Sequence, residues 1–140
     1  MTSPLERLTG PGKALVAEAP DGKEFAGLKR SALPRLEDAA NAANSLESRF
    51  DLVYNAAHAL AMAALRYHGS RPSNRYIVFQ VLPHTLGVGS EVWRVLAKGH
   101  EIRNVAEYEG ELNIDERIVA DMITACRVVA AKLDELPKLP

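Results

Sequence analysis

The sequence predicts an all-α protein, an antiparallel bundle of four to five helices. Three observations point there. Alanine fills 21 of 140 positions against eight aromatic residues, and alanine is the best helix former and a poor strand former. Apolar residues recur at three- and four-residue steps along four long stretches. No stretch alternates with period two, and no internal repeat is present.

Taken in order, residues 1–23 carry Pro4, Gly10, Pro11, Gly12, Pro20 and Gly22. Breakers at that density predict a flexible N-terminal arm, with at most one helical turn around Leu5–Leu8. The bundle domain is expected over 24–136. Its first helix runs through Phe25, Leu28, Ala32, Leu36, Ala39 and Ala43, where Pro34 is expected to kink it or mark its start. The second, DLVYNAAHALAMAALRYHG, is expected to be capped by Asn44 with Glu47 and closed by Gly69. Ser73 opens a short helix through Tyr76, Ile77, Phe79 and Val81 that stops near Pro83. Ser90 caps the next, through Val92, Trp93, Leu96, Ile102 and Val105, with Gly99 inside it and Gly110 at its end. Asn113 and Glu116 form the capping box of the last, whose apolar face includes Ile118, Met122, Cys126, Val129 and Leu133.

Composition narrows the function classes. Lys plus Arg (17) nearly balances Asp plus Glu (18), so no bulk charge draws the chain to nucleic acid or membrane, and any such contact needs a local cluster. Neither uncharged run, Leu52–Leu65 or Tyr76–Ser90, reaches the roughly 20 apolar residues of a membrane span. The N-terminus does not read as a secretory signal. The lone cysteine, Cys126, excludes an intrachain disulfide and a cysteine-rich zinc site. A cytoplasmic protein is expected. The four histidines show no metal spacing, so neither metal nor cofactor is expected.

Two polar groupings interrupt the helical pattern. His100, Arg103, Asn104, Glu107 and Tyr108 follow helical spacing and are expected on one side, opposite Ile102 and Val105. Such a face offers a fixed cation whose planar fork suits phosphate, together with an amide and a phenol. The plainer alternative is a solvated face held by an Arg103–Glu107 pair. Asp51, Tyr54, Asn55 and His58 form the second stripe, at i, i+3, i+4 and i+7 on the second helix. It reads either as an internal hydrogen-bond network or exposed side, or as the wall of a cleft facing Arg103.

With these residues in view, the chain resembles a HEPN domain, the small helical nucleotide-binding domain of higher eukaryotes and prokaryotes. The resemblance covers about residues 24–135 and rests on helix order, the long second helix and Arg103-Asn104 late in a later helix. It implies a homodimer that binds RNA or a nucleotide. It also implies a metal-independent endoribonuclease of the toxin–antitoxin kind, with a nucleotidyltransferase as partner protein. Active members follow the Arg and its polar neighbour with a His after four to six residues, and here Tyr108 stands there instead. The implied roles are charge stabilisation by Arg103, phosphate orientation by Asn104, and proton transfer or hydrogen bonding by Tyr108, His100 or His58. A tyrosine, with an unperturbed pKa near 10, is a poor base at neutral pH. A non-catalytic nucleotide- or protein-binding module is the alternative.

Overall fold

The computed structural model describes residues 3–139, and these form seven helices and one two-stranded ladder. In chain order they are α1 (Pro4–Leu8), β1 (Leu15–Ala17), α2 (Gly22–Ala40), α3 (Leu46–Tyr67), β2 (Ser70–Pro72), α4 (Ile77–Gln80), α5 (Leu82–Thr85), α6 (Ser90–Glu109) and α7 (Glu116–Asp134). The four long helices form the all-α bundle expected. No helix among the described residues is long and apolar enough to cross a membrane.

The alanine-rich α3 is the axis of the fold, packed against α2 on one side, α7 on another and the short α4 on a third. Ala56, Ala57, Ala61, Ala63 and Ala64 are all buried, and such small side chains let neighbouring backbones come close. Phe50, Val53, Leu60 and Leu65 supply its bulk, against Phe79, Leu96, Met122, Cys126 and Val129 from the other elements. Gly99 marks a close approach of α6 to α7: a methyl group there would collide with Cε and Sδ of Met122.

Residues 3–23 are not the loose arm that the prolines and glycines of 1–23 suggest, and residues 1 and 2 lie outside the described residues. β1 pairs antiparallel with β2, Leu15 opposite Pro72 and Ala17 opposite Ser70, and Leu15 is fully buried. A three-residue strand is too short to show a period, so nothing in the pattern announces it. What holds the segment is Arg66, 1% exposed at the end of α3. Its guanidinium donates to the carbonyls of Glu18 (2.9 Å), Ala19 (2.7 Å) and Ser70 (3.3 Å) and pairs with the carboxylates of Glu18 (3.2 Å) and Glu24. Arg71 adds ion pairs to the same two acids, and the two arginines together hold both carboxyls below their usual range.

Several helix starts differ from expectation by one or two residues, each for a visible reason. Ser45, not Asn44, caps α3, because Asn44 Nδ2 donates to Asp38 O at the end of α2. Asp115, not Asn113, caps α7 by accepting from Ile118 N. Gly89 precedes α6, and Ser90 is its first residue. Asn74 Oδ1 accepts from Ile77 N ahead of α4, while Ser73 Oγ donates to Lys13 O and ties the N-terminal segment down. Pro83 starts a second short helix, α5, rather than merely ending the first, since a missing N–H costs nothing in a first turn. Pro34 sits inside α2 on its exposed side, where water reaches the freed carbonyl. Gly69 (φ +79°) and Gly110 (φ +72°) end α3 and α6 in the left-handed region that other residues avoid.

Candidate functional site

The two polar stripes meet where α6 crosses α3. Arg103 Nη1 donates to Asp51 Oδ1 at 2.7 Å, and its guanidinium carbon lies 5.1 Å from the centre of the Tyr54 ring. Glu107 approaches Arg103 Nε at 3.7 Å, one turn along α6. Below this ion pair, Tyr54 Oη and His100 Nδ1 are 3.0 Å apart, and Asn104 Nδ2 lies 3.2 Å from His100 Nε2. Tyr54 and His100 are both buried, whereas Asp51 and Glu107 are exposed.

With the Asn104 amide donating to His100 Nε2, the ring proton sits on Nδ1 and donates to the Tyr54 oxygen. Both His100 nitrogens are then occupied. His58, one turn beyond Tyr54 on α3, is the opposite case: its Nε2 is buried and has no hydrogen-bond partner among the described residues.

Two rings close the back of the cluster. Phe79 of α4 lies 6.2 Å from Tyr54, 6.1 Å from His100 and 6.3 Å from His58, centre to centre. Tyr76, just ahead of α4, lies 5.4 Å from His100. The wall is apolar and its effect is electrostatic. Burial, and then the positive charge of Arg75, push the His58 and His100 imidazoles below their ordinary range, with Glu107 partly opposing this at His100. Burial likewise pushes the Tyr54 phenol up, against the pull of Arg75 and Arg103. At neutral pH the imidazoles are therefore uncharged, and the full charges are two guanidiniums and two exposed carboxylates.

Of the residues singled out from the sequence, Asp51, Tyr54, His100, Arg103, Asn104 and Glu107 are brought together, with His58 adjoining. Asn55 lies on the exposed side of α3 and makes no side-chain hydrogen bond among the described residues. Tyr108 is 93% exposed and makes no side-chain hydrogen bond or ring contact among the described residues. A five-residue step turns an α-helix about 140° away from its start, so Tyr108 does not share the Arg103 face. Arg75, Tyr76 and Phe79 belong to the cluster, yet periodicity alone assigns Tyr76 and Phe79 to the core pattern of a short helix. The adjacent Asn74-Arg75-Tyr76, a cation beside an aromatic ring in a connection, is the signal that could have found them.

Among the described residues no group of three or more His, Cys, Asp or Glu side chains is arranged to hold a metal ion. No family model, no curated protein and no solved structure matches the chain.

Proposed function

We propose that this is a HEPN-like protein that binds RNA or a nucleotide, holding a phosphate at the Arg103 edge of the α3–α6 cluster. The observation that carries the reading is Arg103, a guanidinium fixed over the Tyr54 ring whose ion-pair partners among the described residues are exposed carboxylates. Exposed ion pairs are worth about 0–1 kcal/mol, so a phosphate displaces Asp51 at little cost. Arg103 then offers the phosphate two parallel donors, and the Arg75 charge reinforces the field. A homodimer that sets two such edges facing each other, a nucleotidyltransferase partner and a cytoplasmic setting belong to the same reading through the HEPN resemblance.

Titration of a fluorescently labelled short RNA and of adenosine 5′-monophosphate into the parent protein and Arg103→Ala tests it. Binding that Arg103→Ala abolishes supports the proposal. Failure of both ligands to bind the parent protein overturns it.

A second reading is metal-independent phosphodiester cleavage, favoured by one observation: two uncharged imidazoles beside two guanidiniums. The 2′-oxygen of RNA would attack phosphorus, its proton passing to an imidazole nitrogen, while the 5′-oxygen leaves and takes up a proton. Arg103 would stabilise the charge on the phosphorane. The occupied nitrogens of His100 and the exposed position of Tyr108 favour binding over cleavage. Incubation with RNA in EDTA decides: cleavage lost in Arg103→Ala supports an enzyme, and intact RNA leaves the binding module.

A further inference from the structure

We propose that Tyr76 is the platform on which the nucleobase of the bound ligand stacks, an inference that rests on the phosphate-site reading and adds the ligand's other half. The large apolar side chains exposed among the described residues are Val16, Leu33, Tyr76, Val105, Tyr108 and Val128. Tyr76 is the one that touches the cluster: its ring lies 5.4 Å from His100, tilted by 51°.

Its placement is firm. Tyr76 immediately precedes α4, whose Ile77, Val78 and Phe79 are buried, and Asn74 caps the same turn. The backbone under the ring is therefore held in place, yet the residue is 47% exposed. The adjacent Arg75 is exposed as well, so a cation stands next to the ring along the chain.

An exposed aromatic ring next to guanidiniums is the chemistry that takes a π-face and a phosphate together. Arginines alone hold any phosphate and do not distinguish a nucleotide from a phosphorylated sugar. A ring at the mouth does, because every base presents a flat face and a sugar does not. Stacking of one base is worth about a 5- to 150-fold gain in affinity.

Calorimetric titration with adenosine 5′-monophosphate and with ribose 5-phosphate, on the parent protein, Tyr76→Phe and Tyr76→Ala, tests this. The parent protein should bind the nucleotide about fivefold or more tighter than the sugar phosphate. Tyr76→Ala should erase that preference by weakening nucleotide binding far more than ribose 5-phosphate binding, with an unchanged circular dichroism spectrum showing that the variant is folded. Tyr76→Phe should keep the preference. Equal affinity of the parent protein for both ligands, or a preference that survives in Tyr76→Ala, overturns the role of Tyr76 and leaves the phosphate site standing. Binding of neither ligand by the parent protein overturns the phosphate site itself, and this inference with it.

Discussion

Replacing Arg66 with alanine should cost more stability than any surface charge change in this protein. The side chain is 1% exposed and donates to three carbonyls and two carboxylates that belong to the 18–24 segment and β2. Its loss removes two buried methylenes, worth about 0.8 kcal/mol each. It also removes charge-assisted hydrogen bonds of about 1.5–3 kcal/mol each, although the Glu18 and Ala19 residues are exposed and their carbonyls recover water. Against this, the guanidinium's own desolvation penalty, several kcal/mol, disappears with it. The balance is a loss of about 2–4 kcal/mol. For a chain of 140 residues that lowers the melting midpoint by roughly 10 °C. Arg66→Met keeps the stem and should lose about half as much. Thermal unfolding followed by circular dichroism reads the midpoint. Amide exchange reads the location, since the Glu18 N–H, bonded to Gly69 O at 3.0 Å, should lose protection first. A midpoint within about 2 °C of the parent protein, or unchanged exchange at Glu18, would mean that Arg66 does not hold the N-terminal segment.

Three further outcomes are expected. Asp51→Asn frees Arg103 of its 2.7 Å partner and removes a charge that repels phosphate, so nucleotide should bind about 5- to 30-fold tighter in calorimetry, with the gain shrinking as salt is raised. The imidazoles of His58 and His100 are pushed down by burial, so the unfolded chain takes up their protons first. Their contribution is complete above about pH 6.5 and is lost as pH falls toward the lower folded-state values, so the melting midpoint should drop as pH is taken below about 6.5 and drop less in His58→Gln. Loss of the Glu18 and Glu24 pairs belongs to a lower window, below the ordinary carboxylate range near 4.5. Gly99→Ala gains about 1 kcal/mol of helix propensity but forces a methyl against the buried Met122, so urea unfolding should show a net loss of up to about 2 kcal/mol, and the same change made on a Met122→Ala background should cost nothing further.

The four long helices were legible because each buries one face, and that face writes its period into the chain over about five turns. α3 was clearest: Phe50, Val53, Ala57, Leu60, Ala61 and Ala64 all fall on the buried side. The folded N-terminal segment was not legible, and the reason is physical. A strand of three residues has no period, and its anchor, Arg66, reads in sequence as an ordinary cation in the last turn of a helix, where the dipole alone would justify it. Cap residues slipped for a related reason. Asn44, Ser45 and Ser48 all carry capping chemistry, and only the position of Asp38 O decides which of them turns toward which helix.

The meeting of the two polar stripes was legible as far as helical spacing reaches. Asp51, Tyr54 and His58 recur on one side of α3, and His100, Arg103, Asn104 and Glu107 on one side of α6, so a crossing of the two helices suffices to join them. Tyr108 fell outside because a five-residue step rotates past that side. The ring wall was beyond reach of any periodicity: Tyr76 and Phe79 sit on a four-residue helix and its cap, too short to carry a pattern, and they enter the cluster only through tertiary packing. That wall sets the chemistry. Phe79 and Tyr76 contribute to the burial that, with the Arg75 charge, holds both imidazoles below their ordinary range. With that burial, His58 and His100 stay uncharged, and the full charges left are the guanidiniums of Arg75 and Arg103 against the exposed carboxylates of Asp51 and Glu107, so an anion gains at Arg103 as it displaces Asp51.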